Sequence, residues 1–173
     1  MVRSVELRRH TDNEGDALTA DGVNAALALG ELLSGGYHLF VSSGAQRATQ
    51  TAACVIAGLG EPIPRGVVVE FGLRSTMEDR WRAAYRTAGA GDLASLRDAD
   101  PDLVSSDSEL LAAGLKRIFD LLDDGQRALA IGHSPTNEAA IFGLTGVIVA
   151  PMGKGQGVTV VDNGDSYAVE PTE

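Results

Sequence analysis

Four side chains in this sequence have the types and the setting for phosphate chemistry. Arg9 and His10 close the segment Val5-Glu6-Leu7-Arg8-Arg9-His10-Thr11, where Val2, Val5 and Leu7 predict a first strand that stops at this pair. An imidazole at a strand end can attack an electrophile held by a neighbouring guanidinium. Phosphate suits this, because Arg offers a planar fork of donors to its oxygens. The plainer alternative for such a pair is a solvated strand end; as a nucleophile, His10 is expected to face an open pocket and contribute little to the core. Arg47 is placed to project from the first turn of a helix, where free backbone N–H groups face an anion. His133 follows another apolar run, in Gly132-His133-Ser134-Pro135. Glu70 ends the short run Val67-Val68-Val69-Glu70. It is a candidate proton donor, or else a charge at a strand end.

The elements that must position these groups follow from periodicity and punctuation. Thr19 can cap a helix over Ala20 to Leu33, which Gly35-Gly36 ends. His38 to Ser42 predicts a second strand, and Ser43-Gly44 leads into a helix from about Ala45 to Leu59. His38 carries no motif and is a strand-start residue. Val67 to Glu70 predicts a third strand and Met77 to Thr87 a helix. Gly89 to Ser106 is loop-rich, with a short helix around Leu93 to Arg97, and Ser108 to Leu122 is amphipathic. Arg80, Arg82 and Arg86 make this middle section basic, as a binding face or as a solvated helix face paired with Glu78 and Asp79. Arg127 to Ile131 gives a further strand, and Thr136 to Leu144 a helix with Pro135 in its first turn. Near the end, Gly157 to Val161 and Tyr167 to Val169 flank Asn163-Gly164, a type I′ hairpin signal. Alternating strands and helices predict an α/β, three-layer sandwich. Its central sheet is mostly parallel, with helices on both faces and an antiparallel strand near the end. In open sheets of this kind ligands bind at the carboxyl ends of the strands.

With 173 residues and 44% hydrophobic content, residues 1–173 are expected to form one domain with a sizeable core. A net charge of −10 and a pI near 4.7 argue against nucleic acid or an anionic membrane surface as a general partner. Any anion must meet a local cluster. Only Lys116 and Lys154 of the 14 basic residues are lysines, which favours forked anion recognition. The single cysteine, Cys54, excludes an internal disulfide and a multi-Cys metal site, and reads as a small buried filler rather than a nucleophile. Neither a signal core nor a run of about 20 apolar residues is visible, so a cytoplasmic location is expected. No cofactor or metal is expected. Nothing in the sequence sets the oligomeric state.

Several stretches together resemble the histidine phosphatase superfamily, the phosphoglycerate-mutase-like fold, from about residue 5 to 145. Leu7-Arg8-Arg9-His10-Thr11 is similar to its Arg-His-Gly signature, with Thr11 where Gly is usual. Leu18-Thr19 and Gly22 are similar to the helix start that follows. Ser42 to Ala52 and Gly132-His133 are similar to its central and late elements. The resemblance implies that His10 is the nucleophile and becomes phosphorylated, while Arg9, Arg47 and His133 hold the transferred phosphoryl group. Fixed cations spread around the phosphoryl oxygens lower the barrier without a metal. His10 must then be neutral, whereas His133 would help most as a charged donor, so their surroundings should separate their pKa values. Family members with alcohol leaving groups carry an acid about two dozen residues after the residue matched by Arg47. Here Ser75 takes that place if Leu73 is aligned with the motif, leaving Glu70, Glu78 or no acid.

Only seven residues separate His10 from Leu18, where the mutase branch has a longer insert. That compact start, with Gly-His-x-Pro at Gly132 to Pro135, is most similar to the small SixA-like phosphohistidine phosphatases. The implied activity is hydrolysis of a phosphomonoester or phosphoramidate, and the implied substrate a phosphorylated small molecule or a phosphoprotein. The alternatives are a phosphatase of a small metabolite such as a sugar phosphate or nucleotide, and a non-catalytic phosphate-binding module of the same fold.

Overall fold

The computed structural model describes residues 2–172. Its frame is a six-stranded sheet of order β5-β4-β6-β1-β7-β8, formed by β1 (Arg3–Arg9), β4 (Leu39–Ser42), β5 (Val67–Val69), β6 (Arg127–Gly132), β7 (Gly157–Asp162) and β8 (Tyr167–Pro171). The pairs β5-β4, β4-β6 and β6-β1 are parallel, while β7 runs antiparallel to both β1 and β8. A separate two-stranded ribbon, β2 (Asn13–Glu14) and β3 (Ala17–Leu18), follows His10. This is the predicted α/β sandwich with a mostly parallel sheet.

Alternation along the strands assigns the two faces. Val5, Leu7, Leu39, Val41, Ala128 and Ala130 point into one core cluster, packed under α3 (Glu78–Ala88), α4 (Leu93–Ala99), α5 (Pro101–Asp120) and α6 (Thr136–Thr145). Phe40, Leu129 and Ile131 point the other way, against α1 (Ala20–Leu32) and α2 (Gln46–Leu59). On β1 the second face is charged. Glu6 and Arg8 are nonetheless 4% and 5% exposed, because they pair with each other and Glu6 also accepts from Tyr37 and Arg127. Cys54 lies half-buried on α2, less enclosed than a core filler, and burial pushes its thiol pKa up.

The helix starts explain most of the agreement and one difference. Thr19 caps α1 by accepting the Gly22 N–H at 3.0 Å. Residues 101–106, expected in a loop-rich stretch, instead open the 20-residue α5. Asp100 accepts the Leu103 N–H at 3.1 Å and Pro101 fills the first helical position, where its missing N–H costs nothing. The hairpin after β7 also differs. Asn163 keeps a negative φ, which a type I′ turn does not allow, so residues 163–166 form a longer loop closed by Asn163 N–H to Ser166 O at 3.0 Å.

Candidate active site

Three parallel strands deliver the site. Register sets Arg9 of β1 beside Gly132 of β6, and Ile131 of β6 beside Ser42 of β4. The residues just beyond, His10, His133 and Ser43, therefore come out side by side at the carboxyl edge of the sheet. Backbone bonds continue the ladder there, from His10 N–H to Gly132 O and from Ser43 N–H to Ile131 O, each 3.1 Å. The two imidazole centroids stand 5.2 Å apart. Arg47, in the first turn of α2, reaches both.

Two glycines make this close assembly possible. A Cβ on Gly132 would sit 2.1 Å from Asn137 Oδ1, the atom that accepts the His133 N–H. A Cβ on Gly22 would sit 2.0 Å from the Asp12 carbonyl, so only Gly lets the start of α1 press against the chain just after His10. Thr11, the departure from the expected glycine, points away from the site and donates its hydroxyl to Gly22 O at 2.8 Å.

The hydrogen bonds define the states of both histidines. His10 Nδ1 lies 2.8 Å from the Thr11 carbonyl, which can only accept, so Nδ1 carries the proton and Nε2 the lone pair. That Nε2 faces Arg47 Nε at 3.3 Å. Burial, then the charges of Lys154, Arg47 and Arg9, lower the His10 pKa to about 4 against the opposing Thr11 bond. His133 Nδ1 accepts from Arg47 Nη2 at 3.3 Å, and its Nε2 meets Ser43 Oγ at 2.7 Å. Burial and the neighbouring Arg47 lower its pKa to about 3. With the protein's own groups alone, the expected charged His133 and widely separated pKa values are therefore not found. Both rings are neutral at pH 7, because each is buried against the same guanidinium.

The rest of the wall is cationic. His10 and His133 share a cavity of about 470 Å³ with Arg9, Arg47, Arg74, Arg82, Lys154 and a single carboxylate, Glu78. Arg9 donates through Nη1 to Met152 O at 3.0 Å, and its buried Nε has no partner among the described residues. Arg47 is held from behind by Asp16, at 2.7 Å, whose carboxyl is kept below its ordinary range. Sequence reasoning missed Asp16 and Lys154, since both ride on connecting loops that have no periodicity. Lys154 crosses to Asn13 at the cavity rim.

Glu70 lies outside this group. Its carboxylate caps the turn Phe71–Leu73 through the Gly72 N–H at 2.8 Å and forms a two-point pair with Arg117 of α5 at 2.8 and 3.1 Å. The Arg117 bond holds its carboxyl below the usual range, the wrong direction for a proton donor. Its spacing along the chain is nearly that expected of the acid, but the chain turns sharply after β5 and aims the side chain at α5. Ser75 is likewise turned inward, to Asp107 at 2.6 Å. Glu78, in the first turn of α3, is the acid that faces the cavity, paired with Arg74 at 2.8 Å. Of the basic cluster, Arg80 is occupied by Asp100 at 2.7 Å, and only Arg82 reaches the cavity. His38 lies at the opposite end of β4, where its N–H bonds to Arg127 O at 2.9 Å.

No curated protein matches this sequence, but solved structures share its fold. A phosphoglycerate mutase from Bacillus anthracis str. Sterne superposes with a TM-score of 0.66 at 20% identity, covering 99% of this chain and 92% of that one. The phosphoserine phosphatase from Entamoeba histolytica in complex with 3-phosphoglyceric acid gives 0.68 at 17% identity, covering 96% and 94%. The protein histidine phosphatase SixA complexed with tungstate gives 0.63 at 18% identity, also covering 96% and 94%. The model of the histidine phosphatase superfamily (branch 1) matches residues 3–147. That span begins with β1, which ends at the Arg9-His10 pair, and runs past the Gly132-His133 element to the end of α6, so the chain belongs to the histidine phosphatase superfamily, branch 1, and is a hydrolase acting on phosphate esters.

Proposed function

We propose that the protein is a metal-independent phosphatase that works through a phosphohistidine intermediate on His10, acting on a phosphorylated small molecule or a phosphoprotein. The observation that carries this reading is the Thr11 carbonyl bond, which leaves His10 Nε2 unprotonated in a cavity walled by cations. Nε2 attacks phosphorus, the bond from phosphorus to the leaving oxygen, or to the leaving nitrogen of a phosphohistidine, breaks, and the leaving atom takes a proton. Water then attacks the phosphorus of phospho-His10, releasing phosphate and restoring the lone pair. Arg9, Arg47 and Lys154 oppose the charge on the equatorial oxygens in both steps. Bringing a phosphate dianion against His133 favours its protonated form, so His133 becomes a charged donor only when substrate is bound. The fold shared with a protein histidine phosphatase and a phosphoserine phosphatase supports both substrate classes.

The test is a denaturing quench after brief exposure to acetyl [32P]phosphate, in buffer containing EDTA. Label that is acid-labile and alkali-stable is expected, and aryl phosphate turnover should survive the chelator. Among the described residues no three His, Cys, Asp or Glu side chains come together to hold a metal ion. Activity abolished by EDTA and restored by a divalent cation would overturn the metal-independent reading.

Glu78 takes the proton-donor role in this proposal. Glu78→Gln should slow alkyl phosphates about tenfold or more beyond aryl phosphates, whose leaving groups need less protonation. Glu70→Gln should leave the alkyl-to-aryl ratio unaltered and lower stability by at most about 1 kcal/mol, the usual size of an exposed pair. The reverse pattern would return the role to Glu70.

A further inference from the structure

We propose that the cavity adjoining the phosphate site is a leaving-group subsite for one flat aromatic or heteroaromatic ring system, so that the substrates are phosphomonoesters of small planar alcohols. The proposal rests on the phosphatase reading above and narrows its substrate class. The cavity measures about 320 Å³ and shares Arg47, Arg74, Glu78, Arg82, His133 and Ser134 with the phosphate site, so a group bonded to a phosphoryl beside His10 has room to extend into it. Its far walls are Trp81, Tyr85 and Pro135. This volume lies at the small end of small-molecule sites, enough for a ring system and too little for a length of polypeptide.

The aromatic wall is fixed from behind. Trp81 donates its indole N–H to Asp107 at 2.6 Å, and Asp107 also accepts the Ser75 hydroxyl at 2.6 Å. Trp81 is 4% exposed, so with its polar end used in the core it offers the cavity a small apolar part of its ring and no free N–H. Tyr85 is one turn further along α3 and shares that face. Its ring leans on Gly91, where an added Cβ would come within 3.2 Å of it. Even so Tyr85 is 55% exposed, an unpaired aromatic face at a cavity mouth. The guanidiniums at the rim are already partnered, Arg74 by Glu78 and Arg82 by Asp79. They offer flat, charge-balanced surfaces for stacking rather than a second anion site.

Two non-hydrolysable probes with the same phosphorus group test this, phenylphosphonate and methylphosphonate. Both are measured as inhibitors of acetyl phosphate hydrolysis, with binding followed through the emission of Trp81, the chain's single tryptophan. Phenylphosphonate should bind about tenfold more tightly than methylphosphonate, as expected for burying one ring against an aromatic wall. Tyr85→Ala should shrink that ratio about three- to tenfold, and Tyr85→Phe should keep it. Equal affinities, or a ratio indifferent to Tyr85→Ala, would overturn the subsite. So would a phosphoserine or phosphohistidine peptide turned over with higher kcat/KM than phenyl phosphate. In each of these cases label from acetyl phosphate on His10 still stands for the phosphatase reading. If neither phosphonate binds and no label forms, that reading falls and the subsite with it.

Discussion

Replacing His10 by Ala is expected to lower turnover by about three orders of magnitude or more, because removing a nucleophile forfeits nearly all of the chemical step. Label from acetyl phosphate should disappear with it. Turnover near the wild-type rate would sink the covalent mechanism. The variant should remain folded, though not unaffected. His10 is 5% exposed rather than open to solvent, and its loss leaves the Thr11 carbonyl without its 2.8 Å partner. An unpaired buried acceptor costs about 1–3 kcal/mol. Acid should narrow this difference. His10 has a pKa of about 4 when folded and the ordinary 6.5 when unfolded. As pH falls through that interval the unfolded chain takes up a proton that the folded chain refuses, so the wild type loses stability there. His10→Ala lacks this loss. Its stability relative to wild type should therefore recover between pH 6.5 and pH 4, as urea titrations at several pH values will show.

What the sequence makes legible here is what repeats or punctuates. The strand that ends at Arg9 announces itself through alternating apolar residues and the one that ends at Gly132 through an unbroken apolar run, and their parallel register carries His10 and His133 to one edge without further information. Thr19 and Gly22 mark the start of α1 through a hydrogen bond and a contact that any larger residue would break. Less legible are groups whose place depends on how a loop returns. Lys154 reaches His10 from the connection after α6, and Asp16 supports Arg47 from a two-stranded ribbon, neither at a spacing that a motif records. Glu70 shows the opposite failure, since linear spacing is satisfied while a 3-10 turn redirects the side chain to Arg117. The charge states of the histidines are also invisible in one dimension. They follow from burial and from a guanidinium within 3.3 Å of both rings.

That guanidinium makes the second large effect specific. Arg47→Ala should reduce turnover and phosphate or vanadate affinity each by about two orders of magnitude, because a forked cation contributes in both the bound ground state and the transition state. A purely structural Arg47 would give a different signature. Arg47 bonds to Asp16, His10 and His133 at once, so its removal also lifts the repulsion that helps keep both imidazoles neutral. The His10 and His133 midpoints, followed by NMR of their ring protons, should start near 4 and 3 in the wild type and rise in the variant. They should not reach 6.5 if the pocket stays closed, since burial is the larger cause in each. Arg47→Lys separates charge from geometry. It keeps a cation, so the midpoints should stay low, but it cannot span the two rings, so turnover should recover only in part. Unchanged phosphate affinity in Arg47→Ala would place Arg47 outside the phosphate site. Histidine midpoints that stay fixed would mean that burial, with the charges of Lys154 and Arg9, keeps the nucleophile neutral without Arg47.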